Sequence, residues 1–414
     1  MRKLLLLFSI FVLALFVRFY NFENRITFGS EQARSLIVSA NYIKEKPSLL
    51  GQEYFRTNSE GHKLFASSLF NYSLVPLLLV SRYNPILITL FFALLNILTG
   101  FILYVLLKKI VSEEIAIFGL ILFLFNSYMI YHSMFIWILN YLPLIGIVTF
   151  YLTFKIIKRK NNTLDILFLG ILSGIGFGME YLYALLVIVV LFVLIKFLTK
   201  KVKGLFIFFL GGMIGDLPQI LFDLRHNFYH LKTLWQYSLD TFSGKSDAGF
   251  VYYHFLGFWP VFIIIGSFIL FFVYKKNRYL SYLLVLIYLI FNLSSSLVNF
   301  NSPTGMPGKL TINDILAVSK TISEKATNDF NVVTLYDFDT RGYTLRYFTK
   351  YVFNKNPMGE IEYPTSKEIF ALAKSDYDFN NNNPWELNVF KPYNIDKLAN
   401  IGEGFSLFKL TRKN

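Results

Sequence analysis

Cysteine is absent from the 414 residues of this sequence. Disulfide bonds and thiolate metal sites are therefore excluded, and the redox compartment cannot be inferred from the composition. Charged residues are also scarce, at 16%, whereas 55% of the residues are hydrophobic and 19% are aromatic. A soluble domain does not need so much apolar content. The composition therefore favours a chain that buries apolar surface in a membrane.

Apolar runs long enough to cross a membrane recur between Met1 and Phe300. A spanning helix needs ~20 mostly apolar residues, so this pattern excludes a soluble enzyme and a disordered chain. Met1-Arg2-Lys3 has the charge of a signal peptide, but no small-residue cleavage site follows, and we expect a retained first helix. We predict a polytopic α-helical membrane protein with spans at 4–20, 84–107, 115–131, 139–157, 163–179, 183–198, 204–222, 252–274 and 280–298.

The segment 64–81 decides the predicted topology, because it is apolar enough to span but carries Asn71, Pro76 and several serines. If it lies along the outer interface, thirteen Lys and Arg residues fall in inner loops and helix ends, against four in outer loops before the C-terminal region. Short cytoplasmic loops are enriched in Lys and Arg. This asymmetry predicts about nine spans, an outer interfacial helix at 64–81, a cytoplasmic N-terminus and residues 300–414 outside the cell.

The net charge of +14 divides unequally, with +13 in residues 1–299 and +1 in residues 300–414. The excess follows the inner loops, so it gives no support to a nucleic-acid partner. The last 115 residues contain no apolar run of spanning length. Thr311 before an apolar stripe indicates a helix, and 331–336 and 405–410 have the pattern of strands. We predict a transmembrane domain over 1–299 and a small soluble α/β domain over 300–414.

Polar residues that interrupt the apolar sequence gather on the predicted outer side. A carboxylate inside an apolar run costs ~2.5–3.5 kcal/mol unless it is paired or hydrated, which makes Asp216 the most unusual of them. Pro218 should open the helix beside it. Either these residues form an outward-facing cavity, or they collect at helix ends as in most membrane proteins. The set comprises Glu31, Gln32, Arg34, His132, Trp137, Asn140, Glu180, Asp216, Asp223, Arg225 and His226.

Three stretches carry a family resemblance. Residues 28–35 read Phe-Gly-Ser-Glu-Gln-Ala-Arg-Ser, residues 131–143 surround Trp137, Asn140 and Pro143, and residues 211–228 contain Leu-Pro-x-x-x-Phe-x-Leu-Arg-His. They resemble the GT-C class of membrane glycosyltransferases, which includes protein O-mannosyltransferases and lipid A aminoarabinose transferases. The first stretch is similar to a Phe-x-x-Asp-Gln-(Gly/Ala)-Arg-Asp motif of uncharacterised bacterial members, with Glu31 in place of Asp.

The resemblance implies a GT-C-like helix bundle in a bacterial inner or plasma membrane. It implies transfer of a sugar from a polyprenyl-phosphate donor to an extracytoplasmic glycan, lipid or protein, with inversion at the anomeric carbon. Glu31 would be the base that accepts the proton of the attacking hydroxyl. Cations would stabilise the departing phosphate, which we assign to Arg225 and His226, with Arg18 and Arg34 as further candidates. The residues identify no cofactor with certainty, and the need for a divalent metal stays open. We expect the substrate cavity to be lined by Gln32, Trp137, Asn140, Glu180, Asp216 and Asp223.

Other interpretations are open at this point. Asp337-Phe338-Asp339 resembles a pair of carboxylates that holds a divalent ion in nucleotide-sugar transferases, although its position after a short strand favours a turn. A membrane transporter or lipid flippase is the main alternative function, since buried acids also occur in proton-coupled carriers. Against it, the acids gather at one face rather than at the midplane. A non-catalytic membrane scaffold with an outer binding domain is the second alternative.

Overall fold

The computed structural model describes residues 2–159, 162–245, 251–381, 383–402 and 404–413. Helices dominate the chain up to residue 293. The helices are α1 (Arg2–Phe19), α2 (Phe22–Arg25), α3 (Ser30–Lys44), α4 (Leu69–Ser81), α5 (Pro85–Ile110), α6 (Glu113–Leu124), α7 (Ser127–His132), α8 (Leu142–Arg159), α9 (Thr163–Met179), α10 (Ala184–Phe197), α11 (Lys201–Gly215), α12 (Leu217–Arg225), α13 (Tyr229–Phe242), α14 (Trp259–Lys276), α15 (Arg278–Leu293), α16 (Ile312–Lys325), α17 (Tyr343–Tyr347) and α18 (Trp385–Asn388). The strands are β1 (Leu50–Thr57), β2 (Lys63–Ser67), β3 (Phe330–Thr334), β4 (Glu368–Lys374), β5 (Tyr393–Ile401) and β6 (Phe405–Arg412).

Each predicted span coincides with a helix or with two consecutive helices. Among the described residues, three helices are long and apolar enough to cross a membrane, namely Pro85–Ile110, Ile138–Lys158 and Trp259–Lys276. The bent pair of α11 and α12 brings this number to four, and further apolar helices are shorter. The chain is therefore a mostly helical, integral membrane protein, and the total of nine spans stays a prediction.

Local sequence signals set the ends of α5, the longest of these helices. The Asn84 side chain accepts a hydrogen bond from the backbone N–H of Ile86, and Pro85 occupies the first turn. Both features are typical of a helix start, since they satisfy or remove unpaired N–H groups. Lys108 and Lys109 lie in the last turn, where positive charge stabilises the helix dipole.

The helix break predicted beside Asp216 is present. α11 ends at Gly215, α12 begins at Leu217, and the two helices are bent by 82°. Pro218 lies in the first turn of α12, where its missing N–H leaves no hydrogen bond unmade. The bend directs α12 away from the line of α11, and α12 leads into α13.

α13 has the features of an interfacial helix. Leu231 and Trp235 on one side are 55% and 67% exposed, whereas Leu234 and Tyr237 line a cavity. Amphipathic helices with exposed apolar residues and Trp lie in the membrane interface. The sequence led us to expect such a helix at 64–81. Those residues form the end of β2 and the 13-residue α4, which is shorter than the ~20 residues of a span.

Helices α9 and α11 pack closely through glycines. A Cβ atom added to Gly174 would lie 2.1 Å from the carbonyl oxygen of Gly212, and one added to Gly170 would lie 2.2 Å from that of Phe208. Gly211 and Gly215 of α11 approach the backbone of α9 equally closely. Glycines four residues apart allow this approach between membrane helices, because they present no side chain.

Gly215→Ala is expected to destabilise the protein, because its Cβ would lie 2.1 Å from the Ile171 carbonyl oxygen. Overpacking of this kind costs ~1–3 kcal/mol. The thermal midpoint of the detergent-solubilised protein should fall, which size-exclusion chromatography after heating would measure. Gly212→Ala is the matched control, since its nearest contact would be 3.8 Å away. Equal midpoints for the two variants would contradict this packing.

The C-terminal segment builds a sheet with the strand order β3-β4-β6-β5 among its described residues. β3 and β4 are parallel, and β6 runs antiparallel to both β4 and β5. The predicted helix after Thr311 is α16, whose first turn is held by hydrogen bonds between the side chain of Thr311, the Asp314 N–H and the Asp314 carboxylate. β3 and β6 occupy the predicted strands at 331–336 and 405–410, within two residues at each end.

One face of this sheet shares its core with the bundle side of the molecule. Phe330, Phe370 and Leu407 belong to the same buried apolar cluster as Phe28 and Leu36. The opposite face packs on a separate cluster within the C-terminal segment. The segment after residue 299 is thus continuous in packing with the helices before it, and the proposed domain division at that residue stays a prediction.

Labelling of single cysteines should establish the membrane topology, because the native chain contains none. Lys109→Cys lies at the end of α5, and Ser243→Cys follows α13. In intact cells, we expect a membrane-impermeant maleimide to label position 243 and not position 109, which should react only after the membrane is opened. The reverse pattern would overturn the predicted orientation.

Candidate active site

A cavity of about 440 Å³ lies among segments that are distant in sequence. Its walls are α3, the hairpin of β1 and β2, α13 and the turns that precede α8, α10 and α14. Apolar and aromatic side chains form most of the wall, as in most small-molecule sites. Among the described residues that line it, the carboxylates are Glu31, Glu53 and Glu180, and none is a lysine or arginine.

Glu31 reaches the cavity from the first turn of α3. Helical spacing places Ser35 one turn further along the same face, and both residues line the cavity. The Gln32 side chain turns back instead and accepts a hydrogen bond from the Gly29 N–H at 2.9 Å. The Ser35 hydroxyl donates to Gln52 of β1 at 2.5 Å, which ties α3 to the hairpin.

The surroundings of Glu31 favour its protonated form relative to a carboxyl group in water. Burial raises the pKa of Glu31, the nearby carboxylate of Asp337 raises it further, and Arg34 opposes this shift. Glu31 and Glu180 in turn raise the pKa of Tyr54, although burial is the larger cause. Glu31, Tyr54 and Glu180 are therefore close enough to interact electrostatically. A carboxylate with a raised pKa is a better proton acceptor near neutral pH.

Glu180 and His254 form a pair in the cavity wall. The Nδ1 atom of His254 lies 2.9 Å from Oε2 of Glu180, and the side chains are only 18% and 11% exposed. The other carboxylate oxygen accepts a hydrogen bond from the Leu182 N–H at 3.2 Å, so the acid is held in place. The Nε2 atom of His254 is buried and has no hydrogen-bond partner among the described residues. Nδ1 of His254 is thus held by Glu180, and Nε2 has its hydrogen-bonding capacity unused.

A tyrosine connects the cavity wall to α13. The hydroxyl of Tyr181 lies 2.7 Å from Nε2 of His230 and donates to the carbonyl oxygen of Phe65 at 2.6 Å. The carboxylate of Asp223 accepts hydrogen bonds from the N–H groups of His230 and Leu231, at 2.7 and 3.1 Å. These contacts hold the first turn of α13 against β2.

Three of the predicted site residues line the cavity, and the others lie elsewhere. Glu31, Trp137 and Glu180 are in its wall. Trp137 also stacks on His132, with ring centroids 5.5 Å apart. The Asn140 side chain donates to the carbonyl oxygen of Phe135 at 2.7 Å and so shapes the turn before α8. Gln32 and Asp223 hold helix starts, as described above.

Asp216 is buried at the break between α11 and α12. A Cβ atom added to Gly178 would lie 2.5 Å from Oδ1 of Asp216 and 3.0 Å from Cβ of Ser67. Asp216 and Ser67 therefore both lie against Gly178. Oδ1 has no hydrogen-bond partner among the described residues. Asp216 does not line the cavity that contains Glu31.

The four cations that we assigned to a donor phosphate lie away from the cavity lining. Arg225 and His226 are exposed at the end of α12. Arg18 is fully buried and donates to Asn96 at 2.7 Å and to the carbonyl oxygen of Leu124 at 3.0 Å. Arg34 is buried and is outside the cavity lining, with its guanidinium 5.8 Å from the Tyr343 ring. The assignment of these four cations to a donor phosphate stays a prediction.

Sequence reasoning missed Glu53, Tyr54, Tyr181 and His254, all of which line the cavity. His254 lies near the start of a predicted span, where a polar residue attracts no attention, and Glu53 lies in a strand that we did not predict. The Asp337 and Asp339 carboxylates point to different partners, Ser30 and Arg341. Within the described part of the chain, no group of three or more His, Asp or Glu side chains could hold a metal ion.

No protein-family model matches the chain, and no curated protein matches it in sequence. A solved structure of ArnT from Cupriavidus metallidurans in the apo state superposes with a TM-score of 0.59 at 10% identity, over 99% of this chain and 98% of that one. The fold is that of ArnT. A second ArnT structure from this organism, bound to undecaprenyl phosphate, superposes with a TM-score of 0.55 at 9% identity, over 97% of each chain.

The likeness to ArnT extends over the C-terminal segment as well as the helices, because almost the whole of both chains is covered. This ArnT-like architecture agrees with the helix bundle that the sequence resemblance implied. At 10% identity, the two sequences have little in common beyond what the shared fold requires. An identity this low assigns no residue of this chain a role from ArnT.

Proposed function

We propose that this chain is a glycosyltransferase that moves a sugar from a polyprenyl-phosphate donor to a hydroxyl of an extracytoplasmic glycan, lipid or protein. The observation that carries this proposal is the position of Glu31, the carboxylate of the first-loop motif, in the wall of a cavity within an ArnT-like fold. The ArnT structure with undecaprenyl phosphate supports a polyprenyl phosphate as the lipid part of the donor.

Glu31 would act as the base. As the acceptor oxygen bonds to the anomeric carbon, its proton passes to the Glu31 carboxylate. The bond from the anomeric carbon to the phosphate oxygen breaks, and the polyprenyl phosphate leaves with the electron pair. A single displacement of this kind inverts the anomeric centre. The raised pKa of Glu31 makes proton transfer more favourable, provided that the group is ionised at the working pH.

His254 would face the departing phosphate. It is the one side chain that can carry positive charge among the described residues lining the cavity. Glu180 lies 2.9 Å from Nδ1 and orients the ring, which leaves Nε2 to donate to a phosphate oxygen. A donor aimed at growing negative charge stabilises the transition state. Arg225, which is exposed at the end of α12, would instead be a cation at the membrane interface that meets lipid headgroups.

The apolar parts of the cavity and α13 suit an amphiphilic donor. Leu64, Phe70 and Leu182 contribute apolar wall, and Trp137 offers an aromatic face of the kind on which sugar rings pack. One side of α13 lines the cavity, and another side is apolar and exposed. A polyprenyl chain in the outer leaflet could therefore pass along α13 and reach the cavity. We place the N-terminus in the cytoplasm, the C-terminal segment outside and the reaction at the outer membrane surface.

A transfer assay with membranes tests the proposal. Vesicles containing the protein are supplied with polyprenyl-phosphate-linked radiolabelled sugars and with extracytoplasmic glycans, lipids or proteins as acceptors. Label should move from the donor to an acceptor and should depend on Glu31. Movement of the donor across the membrane without transfer would favour a transporter or flippase. A membrane scaffold would show neither activity and would tolerate substitution of Glu31.

A further inference from the structure

α3 connects the cavity to the C-terminal segment through two stripes of side chains. Glu31 and Ser35 line the cavity, as shown above. On a neighbouring stripe of the helix, the guanidinium of Arg34 lies 5.8 Å from the ring of Tyr343, and the Tyr351 hydroxyl donates to Asn41 at 2.5 Å. The C-terminal segment therefore holds the very helix that presents Glu31.

Asp337 of the C-terminal segment contacts α3 at Ser30, the residue next to Glu31 in the sequence. One of its carboxylate oxygens accepts hydrogen bonds from the Ser30 hydroxyl at 2.6 Å and from the Ser30 N–H at 3.2 Å. Ser30 is the first residue of α3 and precedes Glu31. The carboxylate thus occupies the end of the helix where unpaired N–H groups and the helix dipole favour a negative charge. Asp337 lies 307 residues away in sequence, in the turn after β3.

We propose that Asp337 is a positioning residue of the Glu31 site. Its carboxylate fixes the first turn of α3, and with it the direction in which Glu31 enters the cavity. The C-terminal segment is then a working part of the site rather than an independent outer domain. This inference rests on the proposed function for its kinetic consequence, but the contact itself is tested without any activity.

Asp337 also sets the charge that Glu31 experiences. Asp337 raises the pKa of Glu31, second to burial, and Arg34 lowers it. Asp337→Asn keeps an oxygen that can accept from Ser30 and removes the negative charge. The pKa of Glu31 should therefore fall in this variant. The other ionisable groups that line the cavity or interact with Glu31 are Glu53, Tyr54, Tyr131, Glu180, Tyr181, Tyr237, Tyr253 and His254.

Carbodiimide labelling measures this change in the full-length protein in detergent. A carbodiimide reacts with a protonated carboxyl group, so the labelling of Glu31, followed by mass spectrometry of its peptide, should decrease as the pH rises. The midpoint should lie at lower pH in Asp337→Asn than in the wild type. Asp339→Asn is the matched control, because its carboxylate in the same turn pairs with Arg341 and not with Ser30. A midpoint unchanged by Asp337→Asn would overturn the proposal.

Kinetics give the second readout. Asp337→Ala removes the hydrogen bonds from both the hydroxyl and the N–H of Ser30, whereas Ser30→Ala removes only the bond from the hydroxyl. Asp337→Ala should therefore lower kcat by about tenfold with little change in KM, the size of one lost charge-assisted bond, and Ser30→Ala should lower it by less. The double variant should lose no more than Asp337→Ala alone. Independent, additive losses would contradict the positioning role. If the wild type transfers no sugar, the proposed function fails, whereas the labelling result still decides the role of Asp337.

Discussion

Glu31→Gln is expected to lower the rate of sugar transfer by ~10²–10⁴-fold, the range that a general base contributes. The amide has nearly the shape of the carboxylate but cannot accept the proton of the attacking hydroxyl at neutral pH. KM for the donor should change little, because the lipid and sugar contacts of the cavity are retained. Initial rates of label transfer in detergent-solubilised protein would measure both constants.

The control for this prediction lies at the other end of the same helix. Glu45 follows α3, is exposed and makes a weak contact with Lys350 at 3.8 Å. Glu45→Gln changes the net charge equally and should keep full activity. Full activity in Glu31→Gln would remove the base from the proposed mechanism, even if the protein is shown to transfer sugar.

The pH dependence of the wild type follows from the same residue. A base acts in its ionised form, so activity is lost as the pH falls through its pKa. Burial and Asp337 raise the pKa of Glu31. The loss should therefore begin at a higher pH than for an ordinary carboxyl group, and Asp337→Asn should move it to lower pH.

His254→Ala is expected to produce the second large loss, about 10²-fold or more in kcat, as when one donor to a developing oxyanion is removed. The physical reason is that the cavity contains several carboxylates and His254 is the described lining residue that can neutralise the phosphate. Glu180→Gln should cause a smaller loss, since the amide oxygen can still contact Nδ1 of His254 but carries no negative charge.

Arg225→Ala separates this assignment from the one that the sequence suggested. Arg225 is exposed at the end of α12 and is outside the cavity lining. If His254 meets the phosphate, Arg225→Ala should retain most of the activity, and His254→Ala should not. The opposite ranking of the two variants would return the phosphate role to Arg225. His62→Ala on the hairpin, whose side chain is 49% exposed, controls for loss of a histidine as such.

Local sequence patterns located most of the long apolar helices, but not α3 or α13. Apolar runs, caps such as Asn84 and breakers such as Pro218 act on residues within a few positions of themselves, so they can be recognised without knowing the fold. The number of spans was harder to predict, because helices such as Leu69–Ser81 are apolar but short. Whether a short apolar helix crosses the membrane or packs inside the protein depends on its neighbours in space.

The interfacial helix shows the same limit. The apolar residues of 64–81 predict such a helix there, which stays a prediction, and the structure adds α13, on which Leu231 and Trp235 are exposed while Leu234 and Tyr237 line the cavity. Exposure is a property of the packed molecule. Residues 229–242 mix Trp, Leu and polar residues, so the sequence does not show which of them face outward. In the structure, Asp223 and Tyr181 hold the start of this helix in place and so decide it.

By itself, the sequence determined that this is a helical membrane protein with a C-terminal α/β segment, and it singled out Glu31 through a local motif. Only the tertiary structure paired Glu180 with His254, 74 residues apart, and joined Asp337 to Ser30. It likewise placed Arg225 on the surface. The physical reason is that composition and periodicity act along the chain, whereas hydrogen bonds of a few ångströms between distant residues exist only once helices and sheet have packed.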